Sequence, residues 1–459
     1  MTGQATELDG RSVLVMGLGS FGGGLGATRF LLQSGARVTV TDLRRPDDLK
    51  EGLAGLAGLD VELVLGEHRL EDFQRAELVV PNPAVAPNNE FLMAAREAGA
   101  TIRSEVELFL ERCPARLVAV TGTQGKSSTC SLLAQLLRQT GFRVHLGGNI
   151  GGSLLSELET MRPDDVCVFE LSSYQLDAFS IAAPGQSSRL AGAAELVAIT
   201  NILSDHIERH GSREAYAQAK LRILELLDER GSAIVSEPSL AQYRGTVPAS
   251  GITRFGDSGQ LRIEAGQFRL GEASLGEVSE LPLPGEFQLE NALIALGAAA
   301  KLGAPAEGLR RAIPALEGLS HRLQSLGQVR GRRVWDNGVS TTPDSTASAL
   351  VSLESPCILV CGGRYKATLP LDVMIEAARE RVHCAVTFGA DAGVLAEAFR
   401  AAGIDSRETT TLSDAVEAAF EEARAGDEVL FSPACASFDA YRNFQERARE
   451  FRRLLEATR

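Results

Sequence analysis

The residues best suited to chemistry begin at Thr121-Gly-Thr-Gln-Gly-Lys-Ser127. A β-rich apolar run, Arg116-Leu-Val-Ala-Val120, leads into this glycine-rich turn, and Lys126-Ser127 stand where a helix should begin. Successive backbone N–H groups and the positive end of a helix make a cradle for phosphate anions. The Lys126 ammonium can reach terminal phosphates, and the Ser127 hydroxyl can hold Mg2+. A full Walker loop would need glycine at position 120, where Val120 stands, so the motif is the shorter GxxGK[ST] form. ATP binding is the chemistry it predicts; a glycine turn with no ligand is the alternative.

Four residues farther along are also candidates. Glu170 ends the apolar run Val166-Cys-Val-Phe169, where a carboxylate needs either an ion-pair partner or a metal. His206, beside Asp205, suits a metal ligand, a general base or a hydrogen-bonded surface histidine. Asn149, within Gly147-Gly-Asn-Ile-Gly151, reads alone as a turn residue. Lys220, in the helical stretch Ala219-Lys-Leu-Arg-Ile223, reads by pattern as a solvated face residue.

A second candidate phosphate pocket, with a purely structural strand-to-helix glycine turn as the alternative, lies nearer the N-terminus. Ser12-Val-Leu-Val-Met16 precedes Gly17-Leu-Gly-Ser-Phe-Gly22, and Ala36-Arg-Val-Thr-Val-Thr-Asp42 follows a helical stretch. That is a βαβ unit with the GxGxxG fingerprint and an acidic residue closing the second strand. Alone it points to a nicotinamide dehydrogenase, with Asp42 on a ribose hydroxyl. The same geometry serves any nucleotide diphosphate. With the loop at 121–127 in the same chain, ATP at one site and a nucleotide-linked substrate at the other fit better.

The elements that must position these residues alternate strand and helix throughout. Further strands are expected at Val61–Leu65, Leu78–Val80, Arg143–Leu146, Val166–Glu170, Leu196–Ile199, Ser232–Val235, Thr253–Phe255 and Leu261–Ile263. Past Gly318 they are expected at Val334–Asp336, Cys357–Val360, Ala385–Phe388 and Glu428–Phe431. Helices are expected near Phe91–Ala98, Ser127–Thr140, Glu290–Leu302 and Ser413–Arg424, with an exposed loop at Pro184–Gly192. Such alternation implies parallel, doubly wound sheets. Three α/β domains fit 459 residues, with boundaries at 1–104, 105–318 and 319–459.

Composition narrows the class. Apolar content of 44% and charged content of 23% suit a globular protein. A net charge of −14 argues against a nucleic-acid partner. No apolar run is long enough for membrane insertion, and the polar start suggests no signal peptide, so a cytoplasmic protein is expected; a monomer is the expected state. The seven cysteines are scattered without a second Cys/His pair for zinc, so free thiols are expected.

Taken together, Thr121–Ser127, Gly147–Gly151, Glu170-Leu-Ser-Ser-Tyr-Gln175, Asp205-His-Ile-Glu-Arg-His-Gly211, His321-Arg322 and Ser432-Pro-Ala-Cys-Ala-Ser-Phe-Asp439 follow in an order that resembles the ATP-dependent Mur ligases of peptidoglycan synthesis. The likeness spans nearly the whole chain, and the serine-rich run with Asn443-Phe444 is most similar to the D-glutamate-adding members. The resemblance implies an N-terminal Rossmann-like domain, a central P-loop ATPase with a mostly parallel sheet, and a C-terminal Rossmann-like domain. It implies addition of D-glutamate to UDP-N-acetylmuramoyl-L-alanine through an acyl phosphate, with Mg2+, two ions by analogy.

The resemblance also implies site residues. ATP would meet Gly122, Thr123, Gln124, Gly125, Lys126, Ser127 and Ser128, with Asn291, Arg322 and Asn337 near adenine and ribose. Ser127 and Glu170 would hold one Mg2+ and His206 the second, while Lys220 would carry a carbamate that also serves as a metal ligand. Lys126, His206, Lys220 and Asn149 would form the catalytic group. The uridine substrate would meet Gly19, Ser20, Phe21, Asp42, Arg44, Asn149, Ser172 and Gln175. D-Glutamate would meet Thr341, Lys366, Ser437 and Phe444.

The chain departs from the family pattern at several places. Asp336-Asn-Gly-Val-Ser-Thr-Thr342 stands for the frequent Asn-Asp-Ser-Lys-Ala-Thr-Asn, so Val339 replaces a lysine and Asn337 an aspartate. Gly362-Gly-Arg-Tyr-Lys366 replaces Gly-Gly-Asp-Gly-Lys, which shifts the expected carboxylate contacts towards Lys366 or Arg364. Gln124 stands for the phosphate-loop asparagine, Phe287-Gln288 for a His-Asn pair, and Asn82-Pro-Ala-Val85 for Ser-Pro-Gly. The nearest rivals are sibling Mur ligases and folylpolyglutamate synthase; a dehydrogenase and a P-loop switch protein stand farther off.

Overall fold

Three sheets organise the chain, built from its β-branched and leucine-rich runs. The computed structural model describes residues 5–19, 23–179, 189–203, 205–243, 251–353, 355–367 and 369–458. The first sheet holds β1 (Ser12–Met16), β2 (Arg37–Asp42), β3 (Glu62–Leu65), β4 (Leu78–Pro81) and β5 (Thr101–Ile102). They are ordered β3-β2-β1-β4-β5 and every pairing is parallel. The order reverses between β1 and β4, and such a switch point opens a crevice at the carboxyl ends of the strands.

The second sheet runs from β6 (Arg116–Thr121) through β7 (Val144–Gly148), β8 (Val166–Glu170), β9 (Leu196–Ile199), β10 (Ser232–Ser236), β11 (Ile252–Phe255), β12 (Leu261–Glu264), β13 (Gln267–Leu270) and β14 (Ala273–Glu277). Its order is β14-β13-β12-β11-β10-β9-β6-β8-β7. The pairings from β7 to β12 are parallel, whereas β12-β13-β14 form an antiparallel meander. That meander was not expected from the sequence beyond β12. Its first turn uses Ala265 and Gly266, both left-handed at φ 51° and 75°, as a two-residue hairpin that follows strand twist requires.

The third sheet contains β15 (Gln324–Val329), β16 (Arg332–Asp336), β17 (Cys357–Gly362), β18 (Val382–Phe388), β19 (Asp405–Glu408) and β20 (Glu428–Ala434). Its order is β15-β16-β20-β17-β18-β19, parallel except for the edge strand β15. The mixed α/β class expected from the sequence is therefore observed, with mostly parallel sheets.

The chain divides into two compact units: Met1–Leu281 with Asn291–Ala315, and Pro282–Glu290 with Leu316–Arg459. In the first unit one apolar core continues across two sheets, from Leu8, Val13 and Val40 to Leu117, Phe169 and Val235. In the second unit the third sheet buries both faces. Leu359, Leu430 and Phe399 belong to one core, and Val360, Phe431 and Phe451 to the other. Helix Lys126–Gln139 starts one residue before the expected Ser127, and helix Glu286–Lys301 starts a turn earlier than expected. Most of the expected Pro184–Gly192 loop lies outside the described residues. Among the described residues no helix is long and apolar enough to cross a membrane. All seven cysteines are free thiols, six of them buried.

Candidate active site

Strand β6 is buried along Leu117–Thr121, and its end fixes the start of the glycine turn. Thr121 Oγ1 donates to Leu171 O at 2.7 Å. Thr123 N donates to Asn201 O, and Gln124 N to Asn201 Oδ1, both at 2.9 Å. Thr200 Oγ1 closes the loop on Gln124 O at 2.6 Å. Gly125 caps helix Lys126–Gln139 in the left-handed region at φ 80°. A Cβ there would lie 2.3 Å from Asn291 Oδ1, so only glycine lets that asparagine approach. Ser127 and Ser128 occupy the first turn of the helix, where amide N–H groups lack intrahelical acceptors. Such a loop and helix start can hold phosphate groups.

Two lysines converge on one carbonyl of that loop. Lys126 Nζ donates to Gly122 O and Thr123 O, both at 2.9 Å. Lys220 Nζ donates to the same Gly122 O at 2.6 Å. Lys220 is 2% exposed, against the solvated position its helical pattern suggests. Burial, followed by repulsion from Lys126, lowers its pKa to about 7, although Asp205 and Glu170 pull the other way. At neutral pH a large fraction of this amine is unprotonated and nucleophilic. Tyr216, one helical turn earlier, lies under the ammonium at 4.7 Å and donates its hydroxyl to Thr123 Oγ1 at 3.1 Å.

Glu170 closes the buried strand β8 and is fully buried. Its Oε1 accepts from Asn149 Nδ2 at 2.9 Å, while Oε2 has no hydrogen-bond partner among the described residues. An orphaned carboxylate oxygen beside a phosphate cradle suits a divalent cation. Among the described residues no three His, Cys, Asp or Glu side chains converge as a ligand set. A cation here would therefore also need hydroxyl, nucleotide or modified-lysine oxygens.

His206 adopts a left-handed conformation at φ 49° and begins the short helix Ile207–His210. Its ring stands edge-on to Tyr174 at 5.2 Å and tilted to Tyr216 at 6.4 Å, with Nε2 3.5 Å from Asp205. One tyrosine ring thus separates His206 from the phosphate loop. Ser172 and Gln175 cap the helix Ser173–Asp177 reciprocally. Gln175 Oε1 accepts from Ser172 N at 2.9 Å.

At the first sheet, Asp42 ends β2 beside the switch point. Its Oδ2 accepts from Leu18 N at 3.0 Å and from Arg44 Nη2 at 2.9 Å. Burial raises the Asp42 pKa, but the Arg44 hydrogen bonds outweigh it and leave the value lowered. Gly17 and Gly19 face the Asn82 side chain that follows β4. Ser20, Phe21 and Gly22 lie outside the described residues.

The second unit carries the remaining expected residues. Asn337 is buried and spends its amide internally: Oδ1 accepts from Leu323 N at 3.1 Å and Nδ2 donates to Ser432 Oγ at 3.0 Å. Asp336 accepts from His321 Nδ1 and Arg452 Nε, both at 2.7 Å; Arg322 follows His321 directly. Lys366 is exposed, Thr341 and Phe444 are half-buried, and Phe444 begins helix Phe444–Thr458. Ser437 is buried, and its hydroxyl has no partner among the described residues. Reading the sequence missed Thr200, Asn201 and Tyr216 around the loop, and Arg447, which donates to the carbonyls of Gly362, Cys435 and Ala436. Tyr216 had one signal, its i−4 spacing from Lys220; the others had none.

Residues 11–104 match the MurD-like N-terminal domain of Mur ligases, and residues 120–299 match the Mur ligase middle domain. The chain is 36% identical to the UDP-N-acetylmuramoylalanine–D-glutamate ligase of Roseiflexus sp., over 98% of this chain and 99% of that protein. The chain belongs to the Mur ligase family. A Geobacter metallireducens Mur ligase of the same name is 34% identical, over 98% of each chain. In fold the chain is similar to the UDP-N-acetylmuramate–alanine ligase of Thermotoga maritima, with a TM-score of 0.60 at 17% identity. That alignment covers 98% of this chain and all of the other Mur ligase.

Proposed function

We propose that this Mur ligase joins D-glutamate to UDP-N-acetylmuramoyl-L-alanine at the expense of ATP. The observation that carries the reading is full-length similarity to ligases of that name at 34–36% identity. The first unit supplies the chemistry that such a reaction needs: a phosphate cradle, paired lysines and a carboxylate with an open oxygen. In the reaction a carboxylate oxygen of the substrate attacks the γ-phosphorus of ATP and ADP leaves. The amine of D-glutamate then attacks the carbonyl carbon of the acyl phosphate, and inorganic phosphate departs.

Phosphoryl transfer depends on positioning and charge neutralisation more than on covalent help. Lys126 is proposed to neutralise the migrating phosphoryl group, and the loop amides from Gly122 to Ser128 to hold the phosphates. Ser127 and Glu170 are proposed to hold Mg2+, with Asn149 orienting the Glu170 carboxylate. His206 and a carbamate on Lys220 are proposed ligands of a second ion. Bound Mg2+ supplies charge neutralisation of phosphate oxygens. Asp42 and Arg44 are proposed to meet the uridine diphosphate, after exchanging their mutual ion pair for the ligand. Arg322 and Asn291 are proposed near the adenine and ribose, and Thr341, Lys366, Ser437 and Phe444 around D-glutamate. The domains are proposed at 1–104, 105–318 and 319–459, in a cytoplasmic monomer.

The test is phosphate release with UDP-N-acetylmuramoyl-L-alanine and ATP, comparing D-glutamate, L-glutamate, L-lysine and no amino acid. Only D-glutamate should support turnover. Equal rates in all four would overturn the assignment.

A further inference from the structure

Arg447 is fully buried and is among the largest side chains so enclosed. It lies in the first turn of helix Phe444–Thr458. Among the described residues no carboxylate comes within ion-pairing distance of it. Its guanidinium instead grips backbone carbonyls. Nη1 donates to Gly362 O at 3.1 Å and to Ala436 O at 3.3 Å, and Nη2 donates to Cys435 O at 2.9 Å. Burial lowers its pKa to about 10, so it stays charged at neutral pH.

Enclosing an unpaired cation is costly, and a methionine would fill the volume without that cost. What distinguishes the guanidinium is the planar fork, and the fork spans two loops. One follows β17 and carries Arg364 and Lys366; the other follows β20 and carries Ser437. Arg364 and Ala436 exchange both backbone hydrogen bonds at 2.9 Å, an isolated bridge that joins the loops directly. Asp391 takes the Tyr365 amide at 2.8 Å, and Asp439 takes the Ala390 amide at 3.0 Å. On this frame stand two exposed cationic residues and a buried hydroxyl without a partner among the described residues, at Arg364, Lys366 and Ser437.

We propose that Arg447 is the positioning residue of the amino-acid pocket: by fixing the carbonyls of Gly362, Cys435 and Ala436 it holds Arg364, Lys366 and Ser437 in the geometry that receives a dicarboxylate amino acid. The proposal rests on the D-glutamate reading given above. Val339 has no charge to offer a carboxylate, so the cations on this frame carry that recognition.

The experiment is steady-state kinetics of the full chain with Arg447→Lys, which keeps charge but loses the fork, and Arg447→Met, which loses both. In Arg447→Met the KM for D-glutamate should rise about 10- to 100-fold, with kcat and the KM values for ATP and the uridine substrate within about threefold. Arg447→Lys should shift the same constant in the same direction but less. If Arg447→Met does not fold, the D-glutamate KM of Arg447→Lys carries the test. An unchanged KM for D-glutamate, or an equal change in all three KM values, overturns the proposal. Wild-type enzyme that releases no phosphate with D-glutamate would instead overturn the underlying reading.

Discussion

Lys220 shows how burial changes what a side chain can do. A free lysine amine is protonated to about pH 10.4 and reacts poorly with carbon dioxide. Lys220, buried beside Lys126, loses its proton near pH 7, so the neutral amine that a carbamate requires is present at physiological pH. The unprotonated fraction rises with pH through 7 and is nearly complete a unit or two above. Labelling with 13C-bicarbonate should therefore give a carbamate NMR signal at pH 8 that weakens below pH 7 and is missing in Lys220→Arg. A wild-type protein without that signal at pH 8 would leave Lys220 as a hydrogen-bond donor to Gly122 alone. Asn149 acts one step removed, through its 2.9 Å bond to Glu170. Partners that orient a metal-binding carboxylate typically contribute 10- to 100-fold in metal affinity. Asn149→Ala should raise the Mg2+ concentration needed for half-maximal phosphate release by about that factor, while excess Mg2+ recovers part of the rate. If the Mg2+ requirement stays unchanged, Asn149 does not orient a carboxylate that binds the metal.

Strand β7 carries an ionic arrangement that bears on the site next to it. His145 Nδ1 lies 2.8 Å from Glu157, and Nε2 lies 2.9 Å from Asp165. Burial lowers its pKa, but the two carboxylates outweigh that and leave it raised. Folding thus favours the imidazolium, and the stabilisation is fully present below the unfolded value of about 6.5. It is lost as pH rises through the higher folded value. His145→Gln should accordingly destabilise the protein more at pH 6 than at pH 9 in urea titrations; an equal effect at both would remove the ionic contribution. The sequence carried no sign of this pair of contacts, because Glu157 and Asp165 come from different elements. Strands β1, β8 and β9 were legible to the residue, since unbroken apolar runs bounded by turns mark buried parallel strands. Strand β19, Asp-Ser-Arg-Glu, was not, because an exposed edge strand needs no apolar period. The phosphate loop could be read because its glycines and lysine are contiguous. Lys220 was invisible by pattern, since its burial depends on a loop about a hundred residues earlier.

The single tryptophan makes the two compact units separable by experiment. Trp335 lies on β16 in the second unit, and the first unit contains none. Its indole N–H donates to Glu428 Oε2 at 2.7 Å within a buried site. Tryptophan fluorescence therefore follows the second unit alone, whereas far-ultraviolet circular dichroism follows both. Chains that unfold in one cooperative step give coincident curves by the two probes. Here each unit has its own core, so the urea curves should separate. Glu428→Gln offers a sharper check, because it removes a buried charge that receives the indole proton and lies 3.2 Å from Arg333. Weakening a buried hydrogen bond to a charged group costs about 1–3 kcal/mol. That loss should move the fluorescence midpoint to lower urea and leave in place the part of the dichroism curve belonging to the first unit. If both probes instead shift together, the two cores unfold as one cooperative structure.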